Sequence, residues 1–271
     1  MIDRMNHIAW KRLLFMIAAI AVATLPATAD EWSKTYNISA KPDLRIETSD
    51  ANIRVTTWDQ NTIEAKVITE RYKIGEGGIR IDEHQSGDSV EIEVRYPHHG
   101  ISIEWGNHRV DIIIQMPREG KVDLSTGDGQ IDIADLKGEM DLHTGDGSES
   151  LDGVGGKLHA ATGDGHIRVN GRFDELELKT GDGHIDARAA AGSTLGAGWM
   201  LETGDGNVSL ELPPDMAADV DLHTSDGHID LDIPVTTEGT IRQGEVHGKL
   251  NGGGGPLTIR TGDGSIHLRK G

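Results

Sequence analysis

Apolar and polar residues alternate in short runs along most of the chain. Runs such as Lys121–Thr126 and Glu139–Thr144 precede a glycine-rich turn, and runs such as Gln130–Ile133, His166–Val169 and His184–Ala187 follow it. A period of two is typical of half-buried strands. The 3.6-residue spacing of an amphipathic helix is absent from the sequence, which therefore predicts an all-β protein.

The turn between these runs is a repeated motif. Its first four copies recur at a constant 18-residue step, and a fixed period indicates one structural unit stacked on itself. Such a unit could be one coil of a β-solenoid or one hairpin of an antiparallel meander. The units match position by position, which favours the solenoid. Thr-Gly-Asp-Gly begins at Thr126, Thr144, Thr162, Thr180, Thr203 and Thr261, with the variants Thr-Ser-Asp-Gly at Thr224 and Thr-Ser-Asp-Ala at Thr48.

Every residue type of the motif suits a tight turn. Glycine reaches positive φ without strain, and aspartate can close an Asx-turn onto its own backbone. Threonine is β-branched and fits a strand end. We therefore predict structural roles for Asp128, Asp146, Asp164, Asp182, Asp205, Asp226 and Asp263, and for Gly129, Gly147, Gly165, Gly183, Gly206, Gly227 and Gly264.

The chain divides into three segments. Residues 1–29 have a basic start, an apolar run and the small-residue site Ala27–Ala29, which predicts a signal peptide cleaved after Ala29. Residues 30–120 contain strand-like runs without the tight period and are expected to form irregular N-terminal β coils or a cap. Residues 121–271 are expected to form the regular solenoid, continuous with the cap. Extra residues fall at Ala189–Met200 and Val235–Gly255, which predicts loops there.

Composition narrows the possible partners. The net charge of −19 argues against nucleic acid and anionic lipid, because phosphate binding needs clusters of Lys and Arg. It is compatible with cations and with uncharged glycans. The 271 residues include no Cys, which excludes disulfides, thiol catalysis and thiolate metal sites. Only 4% are aromatic, as expected for a thin core of Ile, Leu and Val.

The stacked aspartates are the strongest candidate for chemistry. Like charges on coils about 4.8 Å apart repel by about 0.9 kcal/mol in water and about 3.5 kcal/mol at an effective dielectric constant of 20. Hydrogen bonds within the turns, solvent or bound cations could relieve this repulsion. We favour structural turns and no metal or cofactor. The alternative is a Ca²⁺ ladder on Asp128, Asp146, Asp164 and Asp182, although Ca²⁺ needs more oxygen ligands than one aspartate per coil supplies.

Histidines are the second candidate. His166, His184 and His228 follow the turns, and a transition-metal site using His143 and His184 is conceivable. Gln, Ser and Asn stand at the positions equivalent to His166, which indicates a solvent-facing column that tolerates many polar residues.

Sequence motifs for catalysis are missing. No Gly-x-Ser-x-Gly, His-Glu-x-x-His or phosphate-binding loop occurs, so we expect no enzyme. A carboxylate-dependent, polysaccharide-active β-helix enzyme is the alternative. Trp58, Trp105 and Trp199 could stack on sugars, but core or cap positions are the simpler interpretation.

The recurring Thr-Gly-Asp-Gly-x-Ile pattern after an exported leader resembles the DUF4097 adhesins of bacterial envelopes and the related auto-transporter adhesin head domains. The resemblance covers residues 40–271 and is clearest from Arg109 onward. It implies a right-handed β-solenoid with no established catalytic residues. The expected protein is a non-enzymatic adhesin or structural protein of the envelope, periplasmic or at the cell surface. Its partners would be a glycan, an envelope protein or another copy of itself, with no membrane span after leader cleavage.

Overall fold

A computed structural model describes residues 29–97, 109–237 and 244–271, in which every regular element is a β-strand. The first ten strands are β1 (Ala29–Asn37), β2 (Asp43–Thr48), β3 (Asn52–Trp58), β4 (Thr62–Glu70), β5 (Arg80–Ser86), β6 (Ser89–Arg95), β7 (Val110–Pro117), β8 (Glu119–Thr126), β9 (Ile131–Ala134) and β10 (Lys137–Thr144). The others are β11 (Glu149–Thr162), β12 (Ile167–Thr180), β13 (Ile185–Ala189), β14 (Trp199–Thr203), β15 (Val208–Leu212), β16 (Ala218–Thr224), β17 (Ile229–Leu231), β18 (Val235–Thr237), β19 (Glu245–Leu250), β20 (Gly255–Thr261) and β21 (Ile266–Lys270).

Each repeat contributes one strand before its turn and one strand after it. The strands before the turns form a first sheet, and those after the turns form a second sheet. The long strands β11 and β12 belong to both, because each leaves one turn in the second sheet and enters the next turn in the first sheet. The chain therefore winds in coils around a core that lies between the two sheets.

Neighbouring repeats pair in parallel and in register. Met140 pairs with Leu158, and Thr144 pairs with Thr162, so that each residue meets its equivalent in the next copy of the repeat. Antiparallel hairpins would pair successive strands the other way round, so the meander alternative is wrong for the repeats. The predicted all-β, solenoid-like architecture is confirmed, and the right-handed sense of the coil stays a prediction.

Near both ends of the stack, the coils do not follow the order of the chain. The last coil, β20–β21, lies between the coil β14–β15 and the coil β16–β17. At the other end, the early coil β2–β3 lies between β6–β7 and β8–β9. The N-terminal segment thus contributes a coil to the stack, and the turn of this coil carries the weaker motif that begins at Thr48.

Antiparallel strands close both ends of the stack. β5 pairs with β6, and β1 and β4 extend the second sheet beyond β7. At the other end, β19 pairs with β16 and β18 pairs with β19. The prediction of a loop over Val235–Gly255 is therefore wrong in part, since β18 and β19 fall within it. The loop predicted over Ala189–Met200 is shorter than predicted and occupies residues 190–198, between β13 and β14.

The core consists of aliphatic columns, one residue per coil. One such column in the first sheet runs, coil by coil, through Leu124, Leu142, Ala160, Leu178 and Leu201. All five side chains are at most 1% exposed. Burying a leucine side chain stabilises the fold by about 1.5–3 kcal/mol. Along the described parts of the chain, no helix has the length and apolarity needed to cross a membrane.

Candidate functional site: the turn ridge and the glycine groove

Several buried threonines of the motif join their own turn to the turn of a neighbouring coil. Thr162 Oγ1 lies 2.9 Å from the carbonyl oxygen of Gly147 on the preceding coil, and it accepts a hydrogen bond of 3.2 Å from the N–H of Gly165 in its own turn. The same two contacts recur at Thr180, Thr203 and Thr261. The hydroxyl therefore matters more than the β-branch that the sequence pointed to.

The glycines of the motif are needed for close packing and not for positive φ. None of the motif glycines has a positive φ, so the reason predicted from the sequence is wrong. A Cβ added at Gly163 would lie 2.6 Å from the carbonyl oxygen of Gly145. One added at Gly165 would lie closer still to the carbonyl oxygen of Gly147. In the coil β2–β3, Ala51 takes the place of the last glycine of the motif. The neighbouring strands β6 and β7 are joined by a longer segment than the turn between β2 and β3.

The motif aspartates form an exposed line along one edge of the stack, which we call the turn ridge. Their carboxylates accept no hydrogen bond from any described residue, so the predicted Asx-turn does not form. Asp50 extends the line at one end. Its pKa is raised, first by desolvation and then by the negative charge of Asp128. In spatial order the ridge consists of Asp50, Asp128, Asp146, Asp164, Asp182, Asp205, Asp263 and Asp226.

The ridge carboxylates are spaced one per coil. Among residues 29–97, 109–237 and 244–271, no group of three or more His, Asp or Glu side chains converges as metal ligands. His143 faces outward from β10, between Ser125 and Ala161. His184 lies instead in the column beside the ridge, so the structure does not bring the proposed pair together.

The residues that follow the turns form a polar column. His166 and His184 stack with ring centroids 5.0 Å apart. The N–H of His184 donates to Nδ1 of His166 at 2.9 Å, and the N–H of Asn207 donates to Nδ1 of His184 at 2.9 Å. Ser148 Oγ and Asn207 Oδ1 accept equivalent bonds from the coils that follow them. Any side chain with a hydrogen-bond acceptor suits this column. A histidine ring that accepts at Nδ1 carries its proton on Nε2, so in this tautomer neither ring nitrogen has a free lone pair for a metal.

Sequence reasoning missed a buried acid. Glu149 is 1% exposed, between Ile131 and Ile167 in an otherwise aliphatic column, and neither carboxyl oxygen has a hydrogen-bond partner. Desolvation, and secondarily the charge of Asp141, raises the pKa of Glu149 to about 8. The repeat itself carries the signal, since positions 131, 149, 167 and 185 read Ile, Glu, Ile, Ile.

The edge opposite the ridge holds a groove of about 1130 Å³, which we call the glycine groove. Its floor follows Gly120, Gly138 and Gly156, which occupy equivalent positions and pair with one another on successive coils. Gly138 and Gly156 have φ values of 137° and 112°, a region that other residues rarely adopt. A Cβ at either position would also collide with the carbonyl oxygen of the preceding coil. The floor is therefore bare backbone at Gly138 and Gly156, whereas Gly120 is buried beside Pro42.

Charged side chains of both signs border the glycine groove. Lys41 pairs with Glu119, and Lys121 pairs with Glu139, with nitrogen–oxygen distances of 3.0 Å in each pair. The residues directly before the floor glycines in the chain line one side of the floor. On this side the sign of the charge alternates from coil to coil through Lys41, Glu119 and Lys137. An acidic protein thus has a groove in which cations and anions are about balanced.

The structure describes two of the three tryptophans considered for sugar stacking. Trp199 is 2% exposed and packs edge-on against Phe173 with centroids 6.1 Å apart. Trp58 is half-buried, and its Nε1 donates to the carbonyl oxygen of Thr62 at 2.8 Å. Trp105 lies outside the described residues.

Stacked parallel coils with a glycine-aspartate turn edge define a β-solenoid-like repeat protein. The chain belongs to the DUF4097 family, described as Toastrack, whose model matches residues 111–269, more than half of the sequence. Among curated proteins, none matches.

Crystal structures with a similar course of the chain come from several bacteria. A candidate cell adhesion protein from Clostridium sporogenes is 15% identical, with 90% of this chain and 100% of that chain covered and a TM-score of 0.42. A candidate adhesin from Bacteroides fragilis is 9% identical, with 89% and 96% covered and a TM-score of 0.40. A candidate lipid-binding protein from Parabacteroides distasonis is 14% identical, with 89% and 97% covered and a TM-score of 0.34.

Proposed function

We propose that this protein is an exported, non-enzymatic binding protein of the bacterial cell envelope that acts as an adhesin or structural component. The observation that carries the proposal is the glycine groove, an open channel of about 1130 Å³ that crosses several stacked coils. The glycines of the floor repeat at intervals of about 4.8 Å along the groove, and an elongated groove suits an extended polymer better than a compact small molecule. The partner would be a glycan or an envelope protein.

A binding role fits the chemistry of the groove better than catalysis. Glycoside hydrolysis needs an acid of raised pKa beside a second carboxylate at the bond that is cleaved. Glu119 lies in the groove, but Lys41, and then Lys137, lower its pKa. The one carboxyl group with a strongly raised pKa, among the described residues, is that of Glu149, which is buried in the core. The motif residues then serve the turns, and no cofactor takes part.

We infer that residues 30–271 lie outside the cytoplasm as one right-handed solenoid, after the signal peptide is cleaved following Ala29. N-terminal mass spectrometry of the protein made in its host should find Asp30 as the first residue. A chain that still starts at Met1 in the membrane fraction would contradict the export.

Binding is tested by screening the purified protein against envelope glycans and envelope extracts, with product analysis on every glycan that binds. We expect retention of at least one class of polymer and no shortened or unsaturated products. Appearance of such products would favour the polysaccharide-active enzyme instead. Sedimentation analysis of the same sample reports self-association.

A further inference from the structure

The alternation of charge along the glycine groove is interrupted at one coil. On the side of the floor that precedes the glycines, the paired positions on successive coils read Glu119, Lys137, Gly155 and Arg172. Strict alternation would place an acid at Gly155, between the two cations. On the opposite side of the floor, Lys157 is a third cation of the groove lining, two residues beyond Gly155 in the same strand.

The three cations are compensated unequally. Arg172 is held by both oxygens of Asp174, at 2.6 and 2.7 Å, and Lys157 lies 3.2 Å from Glu175. Lys137 forms no ion pair with any described residue, although it helps to lower the pKa of Glu119. One positive charge is thus left over at this point of a protein whose net charge is −19.

We propose that the glycine groove binds an acidic glycan, and that a single carboxylate or phosphate group of this glycan occupies the gap at Gly155 between Lys137, Lys157 and Arg172. This inference rests on the proposed binding function and narrows its ligand. The ligand has isolated charges along an otherwise neutral chain, because a regular polyanion would also meet Glu119 and Glu139.

The groove favours a glycan over a peptide strand or an acyl chain. The N–H groups of Lys121, Lys137 and Gly155 already donate to carbonyl oxygens of neighbouring coils at 2.8–2.9 Å, so they are not open to an added strand. Val154 is the largest apolar residue of the lining, and its side chain is buried. The Lys, Glu, Asp and Asn side chains at the rim can bond sugar hydroxyls as donors and acceptors.

The position of Gly155 allows a matched set of variants. Its φ is not in the left-handed region, and an added Cβ would come no closer than 3.4 Å to Arg172 O and 3.7 Å to Lys137 Cγ, which are ordinary contacts. Gly155→Glu supplies the missing acid from the protein itself, Gly155→Gln has the same shape without the charge, and Lys137→Gln removes the uncompensated cation.

The first measurement needs no ligand. We expect Gly155→Glu to melt above Gly155→Gln at low salt, with the difference shrinking as salt screens the charges. A lower melting temperature for Gly155→Glu would show that the gap does not favour an anion and would overturn the proposal, whatever the protein binds.

The second measurement uses three matched oligosaccharides that carry one glucuronate, one glucose 6-phosphate or one plain glucose at the same place. We expect the two acidic forms to bind at least tenfold more tightly than the neutral one, and their ranking distinguishes carboxylate from phosphate. Gly155→Glu should weaken acidic binding at least tenfold, and Lys137→Gln several-fold, while Gly155→Gln stays closer to the wild type.

Two outcomes separate this inference from the proposed function. Equal binding of neutral and acidic forms, unchanged in Gly155→Glu, would overturn the anion site and leave glycan binding in place. If none of the three oligosaccharides binds, the anion site is overturned, and the broader screen of envelope polymers and proteins decides the proposed function.

Discussion

The Oγ1 atoms of Thr144 and Thr162 lie 2.9 Å apart, although 18 residues separate them in the chain. Both hydroxyls are buried, and both lie within hydrogen-bond distance of the carbonyl oxygen of Gly147. The turns are thus linked from coil to coil through side chains as well as through backbone. Leaving a buried polar group unpaired costs free energy, so the stability of the fold should depend on these hydroxyls.

Replacing one buried hydroxyl should measure this contribution. Thr162→Val keeps the shape but leaves the N–H of Gly165 without its acceptor, and we expect a loss of about 1–3 kcal/mol in the free energy of unfolding. Thr162→Ser keeps the hydroxyl and is the control, with a smaller loss from the missing methyl group. Urea unfolding compares them. A Val variant as stable as the Ser variant would mean that the hydroxyl is dispensable.

The two glycines of one turn should differ in their tolerance of alanine. Gly165→Ala should destabilise more than Gly163→Ala, because its Cβ would overlap the carbonyl oxygen of the preceding coil more strongly. Backbone strain contributes to neither substitution, since neither glycine has a φ in the left-handed region. Thermal melting of the two variants provides the ranking, and the reverse order would contradict the close-approach explanation.

Removing one charge from the turn ridge should cost little. The carboxylate of Asp164 is exposed and accepts no hydrogen bond from any described residue, so Asp164→Asn should leave the melting temperature unchanged or raise it slightly at low salt. Calorimetry with Ca²⁺ and with chelator is the accompanying control. A strong rise in melting temperature with Ca²⁺ that Asp164→Asn abolishes would favour the cation ladder.

Glu149 should make stability depend on pH. The pKa of Glu is about 4.3 in an unfolded chain, whereas that of folded Glu149 is raised to about 8. Folding therefore takes up a proton between these values. Its contribution to stability is fully present below pH ~4.3, falls by up to about 1.4 kcal/mol per pH unit as the pH rises, and levels off above pH ~8. Urea unfolding at several pH values measures this dependence.

The matched variants for this test are Glu149→Gln and Glu149→Leu. Both remove the titrating group, so the fall in stability between pH ~5 and pH ~8 should become shallower in each. Glu149→Leu should also be more stable than the wild type at pH 8, because it restores the aliphatic column. An unchanged pH profile in Glu149→Gln would assign the dependence to other groups.

Engineered disulfides should report the order of the coils. Thr203 pairs with Thr261, and Thr261 pairs with Thr224. A disulfide needs Cα atoms about 4.4–6.8 Å apart, which adjacent strands provide and strands two apart do not. Thr203→Cys with Thr261→Cys should therefore crosslink, as should Thr144→Cys with Thr162→Cys.

The control for this test is Thr203→Cys with Thr224→Cys. These residues belong to consecutive copies of the motif in the chain, but the coil β20–β21 separates them in space. The control pair should stay reduced under mild oxidant in the folded protein. Crosslinking of the control in place of Thr203 with Thr261 would mean that the coils stack in chain order.

The sequence by itself determined the local structure and the repeat. Alternation marks strands because side chains point to opposite faces, as in Lys121–Thr126. The constant step of the motif carries over into the pairing of Met140 with Leu158, because identical units bury their apolar columns best when they stack in register. The turn positions also followed from the motif, although the reasons for its glycines and aspartates did not.

Only the tertiary structure decided which coil lies beside which. All coils present similar edges, so a local pattern cannot state that Thr261 lies between Thr203 and Thr224, and the non-local caps β18 and β19 are part of the arrangement. The same holds for the glycine groove and for Glu149. Whether a residue is buried, paired or left between two cations depends on neighbours that are one coil away in space but about a full repeat or more away in the chain.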